Sequence, residues 1–424
     1  MSIFKSKNNN NAEIITANDK DTEPTVDKKA LIFGFTSVVL FGIGFGVIIP
    51  VIPFLVQPYV KNSSEQAIVV TLLLAAYAFC VFFAAPGLGA LSDRYGRRPL
   101  LLTCLFVSAI GYVILGIGGA LWVLFLGRII EGIAGGSGGA FFAYFADITP
   151  KEERTKYFGW VSAVAGVGFI IGPAMGGFLA KFGYSAPMFV GAAITILNVI
   201  YGLLYMPESL KKENRLKEIT FIRLNPFTQL INILSMKNLK RLLIAAFLLW
   251  IPAGSMQAVL AQFTIDIFSW KPALIGLVFS IMGVQDIISQ GFIMPQLLKK
   301  MSDAQIAILG MISEIIAYGL IAMSAIFSLY PLFIVGMFIF GFGDSIFGPS
   351  FGGMVSKSAK AHEQGRIQGG SQSLQALARI IGPVVGGQIY VLLGHAAPAI
   401  MGMVLVTAAT MVLYKNVTRA KSTN

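Results

Sequence analysis

The chain of 424 residues predicts an all-α membrane protein with twelve transmembrane helices in two six-helix repeats. Three observations carry that prediction. First, 56% of the residues are hydrophobic and 12% charged, with a mean hydropathy of +0.76. That is about half the charged fraction of a soluble globular chain. Second, apolar stretches recur that match a hydrocarbon core about 30 Å thick, which takes about 20 helical residues to cross. Third, "FIIGPAMGG" at Phe169–Gly177 returns as "RIIGPVVGG" at Arg379–Gly387, 210 positions later. The same offset joins Gly159 to Gly369, Glu153 to Glu363 and Asp93 to Asp303. Secondary transporters are often built from such repeats, with substrate held near the bilayer midplane between them.

The elements follow in order. Residues 1–29 are polar and read as a disordered cytoplasmic tail. The N-terminal half, 30–207, holds spans at 30–56, 67–91, 99–119, 121–148, 157–180 and 185–207. Residues 208–241 form a cytoplasmic linker, part of which is either an amphipathic helix on the inner membrane surface or loosely ordered. The C-terminal half, 242–414, holds spans at 242–268, 272–297, 304–327, 331–355, 367–393 and 396–414, and 415–424 is a second cytoplasmic tail.

Charge fixes the expected orientation. Of the 32 lysines and arginines, 27 fall in the tails, the linker and alternate loops. Three more lie in the other loops (Lys61, Lys181, Lys271), and Arg128 and Arg379 lie within spans. Lysine and arginine favour the cytoplasmic side, so both termini are expected there. The net charge of +12 is then topology facing anionic headgroups, and nucleic acid is not an expected partner. Cys80 and Cys104 sit in apolar runs and suggest neither a disulfide nor a metal site. His362 and His395 are the only histidines, and no phosphate-binding loop or nucleophile–base spacing occurs. An enzyme, ATP-driven transport and a bound cofactor are therefore not expected.

The second and third spans are joined by "GALSDRYGRRPLLL", Gly89–Leu102. Orientation alone accounts for the arginines. It does not account for the glycines and the aspartate among them. Gly89 is expected to let the end of the second span approach another backbone closely. Gly96 permits a tight turn that a side chain resists. Asp93 then stands beside Arg94, Arg97 and Arg98, to pair with one of them or to accept bonds from a helix N-terminus. Such a latch holds in one conformation and breaks when the halves rock apart.

These residues carry a family resemblance. "GALSDRYGRRPLLL" resembles the signature loop of the major facilitator superfamily, which implies its fold and a role for the loop as a conformational gate. "GFIIGPAMGG" resembles the antiporter motif of the drug:proton antiporter branch with twelve helices, through Gly168, Gly172, Pro173, Gly176 and Gly177. "IIPVIP" at Ile48–Pro53 resembles that branch's signature in its first helix. Within the branch the chain is most similar to the tetracycline exporters, densest in "GRIIEGIAGGSGGAFFAYFADIT", "GMISEIIAYGLIA" and "QGRIQGGSQSL". The glycine clusters of the fourth and fifth spans are expected to let backbones touch, and Pro173 to weaken the helix locally.

Charges inside the bilayer are functional candidates by default. Arg128 and Glu131 share one helical face. They read either as a self-neutralising pair that holds the helix or as a site where Arg128 governs proton release from Glu131. The resemblance favours a coupling role for Arg128. Glu314 lies mid-span with no charged neighbour one turn away, and an isolated buried carboxyl is suited to taking up a proton. It matches an essential acid of the tetracycline exporters and is the first proton site, followed by Asp344 and Asp286, with Arg379 as counter-charge. Asp147 and Asp266, at span ends, read as solvated caps.

The chain departs from the exporters where they carry acids in the first and third helices, since Phe41 and Gly111 stand there. Gln257 stands where some multidrug relatives carry a glutamate. Phe41 and Gln257 are the expected substrate-pocket residues. The expected activity is proton-coupled antiport, exporting small hydrophobic or amphiphilic compounds across the cell membrane by a chain that works as a monomer. A nutrient symporter or uniporter, a lipid flippase and a non-transporting sensor remain as alternatives.

Overall fold

The computed structural model describes residues 28–150, 154–218, 224–234, 236, 239–357 and 364–422. Every regular element among them is helical. Twelve helices are long and apolar enough to span a membrane. They are α1 (Ala30–Ile48), α2 (Ser63–Tyr95), α3 (Arg97–Ile117), α4 (Leu121–Ile148), α5 (Tyr157–Phe182) and α6 (Ala186–Tyr205), then α7 (Lys240–Phe268), α8 (Pro272–Leu298), α9 (Asp303–Phe327), α10 (Tyr330–Val355), α11 (Gly370–Leu393) and α12 (Ala397–Tyr414).

Four spans differ from the sequence reading. The first stops at Ile48, and a short helix Ile52–Val56 follows a turn where Pro50 and Pro53 remove backbone donors. α4 is broken by a turn at Gly136–Ser137. α8 contains a π-helical turn over Ser289–Ile293, a local insertion of the kind that interrupts regular helix. α2 is longer than its apolar run because Asn62 caps it, accepting from the Glu65 amide at 2.8 Å.

Packing repeats across the two halves. Within the first, α1 packs on α5 and α6, α3 on α4 and α6, and α2 on α4. Six positions on, α7 packs on α11 and α12, α9 on α10 and α12, and α8 on α10. The crossings between halves are symmetric as well, α2 against α11 and α5 against α8.

The repeated glycine motif makes the same two seams in each half. A Cβ on Gly168 or Gly172 would lie 2.6 or 2.7 Å from the carbonyl oxygens of Val39 or Ile43 on α1. Gly177, one position past Gly176, turns instead to α8, where a Cβ would lie 2.5 Å from the Pro272 carbonyl oxygen. In the second half Gly382 and Gly386 lie on α7, and Gly387 faces Thr71 of α2. Each motif thus joins one helix to its own half and to the other half. α5 runs unbroken through Pro173.

The linker resolves to a helix at Pro226–Leu234 that packs against both α2 and α11. Phe227 meets Phe82 and Phe83 edge-on at 5.5 and 5.8 Å. It lies at the membrane face that carries most lysines and arginines, called the basic face below.

Candidate transport site

A cavity of about 240 Å³ lies among α7, α8, α10 and α11. Trp250, Phe279, Met282 and Phe340 give it an apolar wall, and Gln257, Asp344 and Arg379 supply its polar groups. Asp344 lies within Coulombic reach of Arg379 on one side and of Asp286 on the other. Asp286 is held in turn, accepting from Ser345 Oγ at 2.6 Å and from Gln290 Nε2 at 2.8 Å. Gln285, one position before it, donates its amide to the Phe338 carbonyl.

Glu314 sits one helix behind this cavity. Its side chain on α9 is 0% exposed, and neither carboxyl oxygen has a hydrogen-bond partner. The Tyr318 hydroxyl, one turn on, also lacks one. Gly343 lets α10 press against it, since a Cβ there would lie 3.0 Å from Glu314 Cγ. Asp344 is the charged group within its electrostatic reach. The structure therefore gathers Glu314, Asp344, Asp286 and Arg379 into one neighbourhood of three carboxyls and one guanidinium.

The first half holds a different arrangement. Arg128 and Glu131 are both buried and pair at 2.5 Å. The guanidinium lies 4.4 Å from the Tyr77 ring centre, close enough for cation–π attraction. Tyr112 of α3 also lies within electrostatic reach of Glu131. Gly111 makes room for that acid, because a Cβ there would lie 3.2 Å from Glu131 Cβ. Phe41 lines a pocket of about 10 Å³ together with Asn198 and Tyr112, room for about one water molecule. Phe41 and Gln257, expected in one pocket, are thus in separate cavities of different halves. They sit on α1 and α7, which the repeat places on opposite sides.

At the basic face the loop between α2 and α3 is built around Arg97. Its Nη1 bonds Asp93 Oδ1 at 2.5 Å and Ser92 Oγ at 3.1 Å, and its Nε bonds Asp147 Oδ2 at 3.1 Å. The Arg97 amide donates to Glu208 Oε1 at 2.9 Å. Arg98 donates to the Leu203 carbonyl at 2.7 Å, and Arg94 lies over the Tyr95 ring. Gly96 has φ of +111°. A Cβ there would lie 2.9 Å from Arg215 Nη2 and would also overlap the Glu208 carboxylate.

Three expectations are corrected. Gly89 makes no close approach, since a Cβ would meet nothing within 4 Å. That end of α2 lies beside the linker helix, with Leu224 near Gly87, instead of against another span's backbone. Asp147 is not a solvated cap, for it accepts from Arg97 and from Ser209 Oγ at 3.0 Å. Asp266 accepts from Ser63 Oγ at 2.5 Å, Gln262 Nε2 at 2.8 Å and the Tyr390 hydroxyl at 2.7 Å. Glu208 was missed. Its place next to Pro207, where the sixth span ends, was the available signal.

Two six-helix halves with one packing plan, and a largely apolar cavity that carries a carboxylate and a guanidinium, define the class, a polytopic transporter. The chain belongs to the major facilitator superfamily, whose family model matches residues 34–383 and 242–424. It is 34% identical to the class C tetracycline resistance protein of Escherichia coli, over 85% of this chain and 89% of that protein. It is 28% identical to multidrug resistance protein 2 of Bacillus subtilis (strain 168), over 89% of this chain and 93% of that one. In fold it is similar to the crystal structure of the human organic anion transporter MFSD10 (TETRAN), with a TM-score of 0.71 and 21% identity. That likeness covers 91% of this chain and 99% of the other.

Proposed function

We propose that the chain is a proton-coupled antiporter that exports small hydrophobic or amphiphilic compounds, drug-like or tetracycline-like, by alternating access. The observation that carries this reading is the 240 Å³ cavity, apolar but for a few groups, with Asp344 and Arg379 on its wall. The names of the relatives, tetracycline and multidrug resistance proteins, support efflux over nutrient uptake.

The basic face is cytoplasmic, as the bias of lysine and arginine requires, so both termini lie inside the cell. The hydrogen bonds of Ser63, Gln66 and Gln262 that join the halves then lie outside, and the conformation faces inward. A compound enters the cavity against Trp250 and Phe340, with Gln257 as a polar anchor. Arg379 offsets Asp344, so a proton or a cationic substrate on Asp344 changes the balance at the cavity wall. Glu314, buried behind that wall without a counter-charge, is the main proton carrier, with Asp286 and the Arg128–Glu131 pair completing the set. Asp93, Arg97 and their neighbours tie the cytoplasmic ends of α2, α3 and α4 together within the first half. All of these groups lie in one chain, so a monomer suffices, and transport rather than enzymatic turnover is the activity.

The test is substrate-induced proton movement in proteoliposomes with an imposed pH gradient, screened over a panel of amphiphilic drugs. Proton release that tracks uptake of at least one compound is expected. Uptake that proceeds equally without a pH gradient would overturn the coupling.

A further inference from the structure

At the face opposite the basic one, a polar cluster bridges the halves. Ser63 at the start of α2 donates to Asp266 near the end of α7, 203 positions away. Gln262, one turn before Asp266 and fully buried, reaches Ser63 Oγ and Gln66 Oε1 of α2, both at 3.2 Å, and Asp266 at 2.8 Å. Gln66 is tied back to the Pro53 carbonyl at 2.7 Å, so the first half enters the cluster as a fixed body. Tyr390 of α11 holds the second carboxylate oxygen of Asp266 at 2.7 Å.

Below the cluster the interface is tight, with apolar packing at Ala67. Ala67 of α2 is 0% exposed within the apolar core of the second half. Gly387 leaves no room for a side chain against Thr71. This packing is apolar, so the side-chain hydrogen bonds that join the halves at this face are those of the polar rim. Bonds to a carboxylate are the stronger kind, and leaving a buried amide without a partner is costly.

We propose that Asp266 is the centre of an outer latch, positioning Ser63 and Gln262 so that the halves stay closed on this side until the transport cycle opens them. Asp266 joins the cycle as a gating residue that neither meets the substrate nor lies near the cavity acids. It faces Ser63 from α2, Gln262 from its own helix and Tyr390 from α11. This inference rests on the alternating-access reading above, and its test separates the two.

Spin labels at Lys61→Cys and Lys271→Cys, exposed on opposite halves at this face, report the gap by pulsed dipolar spectroscopy of the full chain in lipid nanodiscs. Cys80→Ala and Cys104→Ala clear the background. A short distance is expected to dominate in the otherwise unaltered chain. Asp266→Ala removes the charge-assisted bond that crosses between the halves, from Ser63, and is expected to raise the ratio of long to short distances about tenfold. Ser63→Ala, a milder change, moves the same ratio by a smaller factor. Tyr390→Phe leaves the inter-half bonds in place and shifts it by less than about twofold. Unchanged distances in both Asp266→Ala and Ser63→Ala would overturn the latch, and Ser63→Ala decides the matter alone where Asp266→Ala does not fold. The measurement needs no substrate. A shifted distribution in a chain that transports nothing would support the latch and overturn the transport reading, whereas normal transport with fixed distances would overturn only the latch.

Discussion

The two halves share one packing plan and handle buried charge in opposite ways. In the first half Arg128 and Glu131 meet at 2.5 Å, and Tyr77 and Tyr112 lie beside the pair. The neighbouring pocket is about 10 Å³. In the second half Asp344 lies within electrostatic reach of Arg379, Asp286 and Glu314 beside a cavity of about 240 Å³, and Glu314 has no hydrogen-bond partner. At the offset of 210 that relates the halves, the position of Arg128 in α4 corresponds to Phe338 in α10. A duplicated fold thus kept its helix seams and diverged at the charges. The lesson is that helix packing tolerates little change at glycine contacts, whereas the polar sites between the seams were free to specialise.

The largest effect should come from the second half. Glu314→Gln is expected to reduce transport driven by a pH gradient at least about a hundredfold, the scale of losing a positioned proton-transfer group. Folded stability should be near wild type, because no partner of Glu314 is stranded. Proteoliposome flux together with a thermal melt in detergent checks both halves of that statement. Wild-type flux in Glu314→Gln would shift the assignment to Asp344.

The same substitution in the first half should read out differently. Glu131→Gln leaves the Arg128 charge buried without its partner and is expected to cost ~3–5 kcal/mol of stability. Removing both charges in the Arg128→Met, Glu131→Leu variant should recover most of that stability, as coupled pairs do. Flux should stay reduced if the pair shares in coupling. Full flux in the double variant would make the pair purely structural and the contrast between halves complete.

A third contrast lies in the loops. Asp93→Asn should lower flux about tenfold with normal membrane abundance, since it weakens one charge-assisted bond to Arg97. Asp303→Asn, at the repeated position, should do less, because Ala307 stands where the first half has Arg97. Equal losses would show that the latch needs the aspartate and not its arginine.

The smallest effect belongs to the glycines of that loop. Gly96→Ala should cost ~1–3 kcal/mol, since φ of +111° is poorly open to a side chain. Gly89→Ala should stay within about 0.5 kcal/mol of wild type by thermal melt. A large loss in Gly89→Ala would mean that α2 meets another backbone in a second conformation, where the halves have rocked.

The sequence by itself determined the number of spans, the repeat, the glycine seams on α5 and α11 and the turn at Gly96. Each is written in a run of neighbouring residues, as apolar length, as spacing along one helical face or as a backbone angle open mainly to glycine. It also singled out the charges inside the spans, because a charge within an apolar run is conspicuous wherever it folds. Only the tertiary structure decided which of them meet. Arg97 finds Asp147, 50 positions away, and Asp266 finds Ser63 across the two halves. Glu314 falls behind the cavity while Asp344 falls on its wall, and Gly89 faces open space. These outcomes depend on which faces of distant helices are turned toward each other. That is set by the crossing of twelve helices packed together, which no local pattern encodes.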